Sequence, residues 1–373
     1  ELYMATGIQF MSINTIFQML SEVKANDPIL ETADKFLMMP DLFNHFLCGV
    51  DVCEYTEATT GQTVDPWTKD WARPVFDRLG IPTHFLPEIV QPGTELGPLL
   101  NEVADATGCK GATVVAGASH DTPSAVAAVP LASPSTAYIS SGTWSLVGLE
   151  VTEPVVTEAA LEANVTNEGG YGGTITLLKN CMGLWPVQQS RKALWPGEGA
   201  PSYEEICNLA EEGPQWTAFV DPDDPRFLWP GDMPTRIREY CEETGQPIPL
   251  ETATLFRVIF ESLALKYTWV VEKLSAVTGT DIDRIHIVGG GSQNELLCQM
   301  TANASKREVV AGPVEATAIG NISIQAITSG ELADLSQARE LIARSFPMKT
   351  YEPKGYFWRE ARERFDALMD KND

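Results

Sequence analysis

Asp121 has the residue type and the sequence setting of a general base. It stands in the loop Ala-Ser-His-Asp-Thr, residues 118–122, after the β-like run Thr113–Ala116 and before a run of small residues typical of a helix. A carboxylate at such a strand-to-helix junction can lie beside a substrate hydroxyl and accept its proton as the oxygen attacks phosphorus. Asp followed by Thr-Pro-Ser-Ala equally describes a helix N-cap. A capping loop is a rigid mount for a functional carboxylate, so the two roles are compatible.

Two further polar segments could hold phosphate. Residues 140–143, Ser-Ser-Gly-Thr, lie between two β-like runs, and a turn there can direct backbone N–H groups and the Thr143 hydroxyl at phosphate oxygens. A plain hairpin turn is the alternative. The Gly-Gly-Gly triplet at 289–291 follows a buried β-like run, where glycine lets a ring or a phosphate approach the main chain closely. Asn294 occupies the last glycine position of G-x-G-x-x-G and no P-loop sequence occurs, so neither nucleotide motif applies.

The histidines and cysteines give weaker signals. His120 could donate a hydrogen bond to a substrate hydroxyl, or it could be an ordinary hydrogen-bonded loop histidine. The 4 histidines lie far apart without an H-E-x-x-H motif, and no zinc-type cysteine pair occurs, so no metal-ligating residues are predicted. The 7 cysteines are scattered and odd in number, which favours reduced thiols in a cytosolic protein over a disulfide framework.

Composition argues against two classes of partner. The 373 residues suffice for two domains with separate cores, and 44% hydrophobic with 21% charged residues is typical of a globular protein. The formal net charge is −25 without a cluster of Lys and Arg, which argues against nucleic acid because phosphate-backbone binding depends on such clusters. No apolar run approaches the roughly 20 residues that a membrane span needs. A bound nucleotide would have to be held by local amides and a divalent cation.

Apolar spacing and the positions of glycine and proline predict the elements that carry these residues. From residue 111 onward, short strands alternate with helices, which indicates an α/β architecture. The expected elements before that point are helices at 14–23, 28–37, 41–48 and 67–79, and an irregular loop at 82–98. Those after it are a hairpin at 135–150, a strand at 172–178, a helix at 251–277, the alternating unit Arg284–Val288, Glu295–Ser305, Glu308–Ala311 and Ala316–Thr328, and a C-terminal helix that buries Trp358, Ala361, Phe365 and Leu368.

The order of these motifs resembles that of the FGGY carbohydrate kinases, which have the actin-like ATPase (ribonuclease H-like) fold. The resemblance is carried by the Ser-His-Asp-Thr loop, the Ser-Gly-Thr-Trp hairpin, the glycine triplet and the run Pro-Val-Glu-Ala-Thr-Ala-Ile-Gly-Asn-Ile. Shorter matching runs lie at residues 6–10, 39–41, 54–60, 164–170 and 178–185. The resemblance implies a two-domain α/β sugar kinase. We place the domain boundary at residues 131–134, so that 1–130 carries the Asp121 loop and 131–373 binds the nucleotide.

The resemblance also implies an activity and a site. The reaction would transfer the γ-phosphoryl group of ATP to the 1-hydroxyl of L-rhamnulose, with Mg²⁺ held mostly on phosphate oxygens, as phosphoryl transfer generally requires. A small sugar and ATP are therefore the expected partners. The implied site residues are Asp121 as the base, His120, Asp121, Thr122 and Asn180 for the sugar, and Thr143, Gln188 and Gly290 for ATP.

One motif of the family does not occur in this sequence. FGGY kinases open with a D-x-G-x-[ST] hairpin that holds the β- and γ-phosphates, and no such run is present. We therefore expect an incomplete first domain and little or no activity from this chain alone. Two alternatives stay open, namely another FGGY kinase acting on xylulose, fuculose or glycerol, and a non-catalytic actin-like protein that binds sugar or nucleotide.

Overall fold

Glycine ends the long helix of this protein where the sequence predicts. Gly279 has φ +70° and its N–H bonds the Ser275 carbonyl, so the helix Thr252–Thr278 stops one residue before it. Gly49, with φ +75°, ends the helix Met39–Cys48 in the same way. Both residues adopt a left-handed conformation that glycine reaches without a steric penalty.

The computed structural model describes residues 1–131, 133–355 and 358–370. These residues form two compact units. Unit 1 comprises Glu1–Pro130, Leu149–Lys179 and Ala316–Ser345, and unit 2 comprises Leu131–Gly148, Asn180–Glu315 and Phe346–Asp373. The chain thus first passes into unit 2 after Pro130. Ala132, in the predicted boundary stretch, lies outside the described residues, and the division into domains 1–130 and 131–373 stays a prediction.

Unit 1 surrounds the Asp121 loop with helices and small sheets. Val52–Glu54 pairs in parallel with Glu88–Val90, and Thr94–Pro98 pairs antiparallel with Thr113–Ala116, the strand that leads into the loop. Further antiparallel pairs join Val64–Asp65 to Asp70–Trp71 and Thr166–Gly169 to the start of Ile175–Met182. The α-helices are Leu2–Thr6, Thr15–Ala25, Ile29–Thr32, Met39–Cys48, Tyr55–Thr60, Arg73–Leu79, Asn101–Thr107, Asp121–Ala127, Glu158–Glu162, Ala316–Thr328 and Leu335–Ser345, with a 3-10 turn at Tyr171–Gly173. A core in this unit contains Ile16, Met19, Cys53, Tyr55, Ala58, Val64, Trp71, Phe76, Ile81 and Phe85.

Unit 2 is built on a mixed sheet with helices. Five strands lie side by side in the order Lys349–Tyr351, Glu308–Ala311, Arg284–Val288, Thr136–Ser141 and Trp144–Val151, the last contributing Trp144–Gly148 to this unit. The two central neighbour pairs are parallel and the two outer ones antiparallel. The helices are Trp185–Leu194, Tyr203–Glu212, Met233–Glu243, Thr252–Thr278, Glu295–Ser305 and Trp358–Met369, with 3-10 turns at Pro225–Phe227 and Gly290–Gln293. The predicted α/β architecture is confirmed. In the described part of the chain, no helix has the length and apolar composition that a bilayer span requires.

Four of the predicted elements are wrong in part. The helix expected at 28–37 covers only Ile29–Thr32, because Phe36 N–H bonds the Phe85 carbonyl at 2.9 Å and holds the chain extended against the core. The helix expected at 67–79 begins at Arg73, since the Asp65 carboxylate accepts a hydrogen bond from the N–H of Trp67 at 2.8 Å and turns the chain into a short hairpin. The loop expected at 82–98 contains the strands Glu88–Val90 and Thr94–Pro98. The strand expected at 172–178 begins only at Ile175, because Tyr171–Gly173 forms a 3-10 turn, and it extends to Met182. The Phe36–Phe85 bond is a tertiary contact that overrides the local pattern, whereas the Asp65–Trp67 bond is a local turn.

Candidate functional site

Asp121 begins a helix without capping it. It is the first residue of Asp121–Ala127, the cap position belongs to His120, and no side chain caps this helix. The Asp121 side chain is 77% exposed, and its Oδ1 atom accepts a hydrogen bond from the hydroxyl of Thr122 at 3.3 Å. Thr122 itself is buried. The prediction that Asp121 caps the helix is therefore wrong. Its carboxylate is accessible to an external hydroxyl.

The buried carboxylate of Glu54 holds the loop at residues 118–122 in place. Glu54 is fully buried, and its Oε2 atom accepts hydrogen bonds from the N–H of Ser119 at 3.0 Å and from the hydroxyl of Thr56 at 2.5 Å. The same hydroxyl oxygen accepts the N–H of His120 at 3.3 Å. Burial raises the pKa of Glu54 to about 7, against the lowering effect of the hydrogen bonds that it accepts. Two consecutive backbone N–H groups of the loop are thereby fixed ahead of Asp121.

His120 lies between two carboxylates. Its Nδ1 atom is 3.3 Å from Oε2 of Glu168, and its Nε2 atom is 3.4 Å from Oδ1 of Asp121. Burial lowers the pKa of His120, but the close contact with Glu168, together with the charges of Asp121 and Glu57, outweighs burial and raises it to about 9. The imidazole is consequently protonated at neutral pH and presents two N–H donors.

The helix that begins at Asp121 is locked by close packing within unit 1. A Cβ atom on Gly320 would lie 2.8 Å from the carbonyl carbon of Ser124, so only glycine lets the helix Ala316–Thr328 approach this closely. The Ser124 hydroxyl donates to the Thr317 carbonyl at 2.9 Å. Arg339 donates to the Val126 carbonyl at 3.0 Å near the far end of the helix. The helix that carries Asp121 is therefore held by packing at its middle and by a hydrogen bond near its far end.

The turn at 140–143 lies in unit 2 and is joined to the start of a helix. Thr143 follows Gly142 between the strands Thr136–Ser141 and Trp144–Val151, and its carbonyl accepts the N–H of Gly183 at 3.0 Å. The Thr143 hydroxyl lies 3.4 Å from the side-chain amide of Gln188, on the helix Trp185–Leu194. Thr143 is exposed and Gln188 half-buried. The structure thus brings together two of the residues expected to bind ATP.

The glycine triplet lies against the same turn. A Cβ atom on Gly289 would be 2.8 Å from the Ser141 carbonyl oxygen, and one on Gly291 would be 2.6 Å from Ser141 Cβ. Gly290 differs, because a Cβ atom there would meet nothing within 4 Å and the residue is exposed. Gly290 therefore leaves open main chain where a flat ring or phosphate could approach.

Asn180, the remaining predicted sugar contact, belongs to unit 2 in the strand Ile175–Met182, where it is half-buried. Two residues on, the N–H of Met182 donates to Oδ1 of Asp223 at 2.6 Å. Asp223 also pairs with the buried Nζ of Lys266 at 2.9 Å, and Asp221 pairs with the same nitrogen at 2.8 Å. This ion cluster anchors the end of the strand that carries Asn180.

Sequence reasoning assigned no role to Glu54, Glu57 or Glu168. All three lie around the Asp121 loop in unit 1 although they are distant in sequence. Their signal was present, since they fall in the runs 54–60 and 164–170 that carry the family resemblance. Among the residues that the structure describes, no group of three His, Cys, Asp or Glu side chains could hold a metal ion.

Two models of one known family match most of the chain. Residues 1–128 match the N-terminal domain of the FGGY family of carbohydrate kinases, and residues 137–329 match its C-terminal domain. Curated relatives include a rhamnulokinase of Bacteroides thetaiotaomicron, 46% identical over 95% of this chain and 72% of the relative. A rhamnulokinase of Enterococcus faecalis is 42% identical over 94% of this chain and 70% of the relative.

Solved structures have the same fold at low sequence identity. A gluconate kinase of Lactobacillus acidophilus superposes with a TM-score of 0.77 at 16% identity, covering 100% of this chain and 74% of that protein. Glycerol kinase of Plasmodium falciparum with ADP gives a TM-score of 0.76 at 15% identity, covering 100% and 73%. These values establish the fold, and the family matches confirm the resemblance drawn from the motifs. The chain belongs to the FGGY family of carbohydrate kinases.

Proposed function

We propose that this protein transfers the γ-phosphoryl group of ATP to the 1-hydroxyl of L-rhamnulose, giving L-rhamnulose 1-phosphate and ADP. The observation that carries the substrate is the 46% identity to a rhamnulokinase over 95% of the chain. The exposed carboxylate of Asp121 on a rigid mount supports the chemistry. A cytoplasmic location, inferred from the cysteine content, is part of the same proposal.

Asp121 is the proposed base. As the sugar oxygen forms its bond to the γ-phosphorus, the Asp121 carboxylate takes the hydroxyl proton, and the bond from the γ-phosphorus to the bridging oxygen of ADP breaks. The protein forms no covalent bond to the substrates in this step, so its main contribution is to align the sugar hydroxyl with the γ-phosphorus. The helix packing around Ser124 and Gly320 supports this role because it limits the movement of Asp121.

The remaining predicted residues are proposed to bind the two substrates. His120, Thr122 and Asn180 would contact the sugar, and the Thr122 hydroxyl also donates a hydrogen bond of 3.3 Å to Asp121. Thr143, Gln188 and Gly290 would bind ATP in unit 2, where the exposure of Thr143 and Gly290 fits a polar ligand. Mg²⁺, held chiefly by phosphate oxygens, would neutralise charge that develops on the phosphates.

A substrate panel tests this proposal. The protein, expressed from its full reading frame, is given ATP and one of L-rhamnulose, L-fuculose, D-xylulose or glycerol, and ADP release is followed. We expect L-rhamnulose to give the highest kcat/KM. Preference for another acceptor would make this a different FGGY kinase. Saturable binding of sugar and ATP without turnover of any acceptor would favour the non-catalytic alternative.

A further inference from the structure

We propose that Glu168 is a positioning residue, which holds the His120 imidazole so that His120 orients the carboxylate of Asp121 toward the sugar hydroxyl. This inference rests on the proposed function, because it needs Asp121 to be the base. It concerns a residue outside the predicted site and a contact wholly within unit 1.

Glu168 is itself firmly placed. It lies on the strand Thr166–Gly169, and its side chain is 5% exposed. The next residue, Gly169, donates its N–H to the Thr59 hydroxyl at 2.9 Å, and a Cβ atom on Gly169 would lie 2.5 Å from the ring of Tyr55. The backbone at Glu168 therefore has little freedom, which fixes the point from which the Glu168 side chain extends.

The atoms of Glu168 and His120 that face each other depend on one another. Oε2 of Glu168 and Nδ1 of His120 are both buried, and neither has a regular hydrogen bond to any described residue. They lie 3.3 Å apart, with an alignment short of a regular hydrogen bond, so the contact is best described as an ion pair. An uncompensated carboxylate at this depth would be costly, which makes a protonated His120 the natural partner.

The other edge of the imidazole faces the proposed base. Nε2 of His120 lies 3.4 Å from Oδ1 of Asp121, the same oxygen that accepts the Thr122 hydroxyl. With Oδ1 hydrogen-bonded to Thr122 and paired with the imidazolium of His120, Oδ2 is the oxygen left to accept the sugar proton. A neutral imidazole has only one N–H and could not donate to both carboxylates.

The surrounding charges keep the imidazole protonated. Glu168 on its strand, Asp121 on its helix and Glu57 on the helix Tyr55–Thr60 all favour the cation, against burial, and the pKa of His120 is about 9. Glu54, beneath the loop, is occupied by backbone and hydroxyl donors. Glu168 is the one of these carboxylates at hydrogen-bonding distance from Nδ1. Its neutralisation should therefore have the largest effect on His120.

The test compares Glu168→Gln with Glu168→Asp and with the exposed control Glu162→Gln, in the protein expressed from its full reading frame. Two quantities are measured, namely the pH dependence of kcat/KM for L-rhamnulose and the titration of the His120 ring nitrogens by ¹⁵N NMR. We expect Glu168→Gln to move the His120 titration and the alkaline limb of kcat/KM to lower pH by at least about one unit, equivalent to about tenfold in proton affinity. Glu168→Asp, which keeps the negative charge, should give a smaller shift in the same direction. Glu162→Gln should leave the His120 titration and the pH profile of kcat/KM unchanged.

The outcomes separate this inference from the function on which it rests. An unshifted His120 titration in folded Glu168→Gln overturns the positioning role, whatever the activity. A shifted titration with an unchanged pH profile of kcat/KM overturns it as well, since the imidazole would then not act on the base. Absence of sugar phosphorylation by the wild type, with the titration shifted as expected, would refute the proposed function while leaving the Glu168–His120 pair intact. If Glu168→Gln does not fold, the same comparisons are made with Glu168→Asp, for which a smaller shift in the same direction is expected and its absence counts against the role.

Discussion

Glu54 and Ser119 are joined by a hydrogen bond of 3.0 Å, from the N–H of Ser119 to the buried Glu54 carboxylate. The two residues are separated by 65 positions in the chain. Through this bond, the first strand of unit 1 fixes the loop that presents Asp121. The position of the proposed base thus depends on a carboxylate that has no exposed surface.

Glu54→Gln should loosen this loop. The amide nitrogen would replace an oxygen that accepts hydrogen bonds from the Ser119 and Glu57 N–H groups, leaving these half-buried donors without their acceptor. We expect a loss of about 2–3 kcal/mol in the free energy of unfolding, measured by denaturant titration at pH 8. Glu162→Gln, on the surface, serves as the control. Equal stability of the two variants would contradict the role of Glu54.

Gly290→Ala should weaken ATP binding, whereas Gly291→Ala should destabilise the fold. A methyl group on Gly290 meets open space, so the fold should be unchanged while the approach of ATP is hindered and KM for ATP rises. On Gly291, the methyl group would lie 2.6 Å from Ser141 Cβ, so we expect about 1–3 kcal/mol of destabilisation. Thermal unfolding and ATP titration distinguish the two. An unchanged KM for ATP in Gly290→Ala would remove Gly290 from the nucleotide site.

Lys266→Met should destabilise unit 2 far more than Lys273→Met. Both ammonium groups lie over the ring of Trp269, at 5.0 and 4.9 Å, but only Lys266 is buried and pairs with Asp221 and Asp223. Removing it leaves these carboxylates without their cation, at a cost of about 3–5 kcal/mol. The Lys273 variant should lie within about 0.5 kcal/mol of wild type. Similar unfolding midpoints for both would show that the cluster contributes little.

Stability should fall with rising pH because of His120. Its pKa of about 9 in the folded protein exceeds the ordinary 6.5, so the folded state binds this proton more tightly than the unfolded state. The stabilisation is complete below pH 6.5 and is lost as the pH rises through 9. The difference in free energy of unfolding between wild type and His120→Gln should therefore shrink across this range. His286, whose pKa burial lowers to about 4, does not titrate there. A constant difference from pH 6 to 9.5 would contradict the assignment.

Local sequence patterns predicted the helices and strands that carry the site residues. They predicted the tertiary contacts around those residues less well. Pro123 and the small residues after Asp121 predict the helix there, and the alternating unit from Arg284 to Thr328 appears with the predicted bounds, because glycine, proline and apolar spacing act locally. The predicted cap role of Asp121 is wrong because Asp121 is already the first helical residue, and His120 occupies the cap position. The burial of Thr122 was likewise not visible in the sequence, since it depends on which face of the helix the rest of unit 1 covers.

Glu54 and Glu168 could not have been placed beside Asp121 by spacing alone. A buried glutamate in a short strand resembles a surface residue until its partners are known, and the N–H groups that it accepts come from a distant loop. Only the pairing of strands in unit 1 brings these carboxylates to the loop. The residues expected from the family resemblance, from His120 to Gly290, stay predictions until binding and kinetics are measured.

The most direct measurement of the central claim is the rate of L-rhamnulose 1-phosphate formation by wild type and by Asp121→Asn, in the protein expressed from its full reading frame. The Asp121 side chain is exposed and caps nothing, so the variant should fold and bind ATP as wild type does. We predict that kcat falls by about 10²–10⁴-fold, the usual contribution of a general base. Phosphorylation of L-rhamnulose by Asp121→Asn at the wild-type rate would contradict the account.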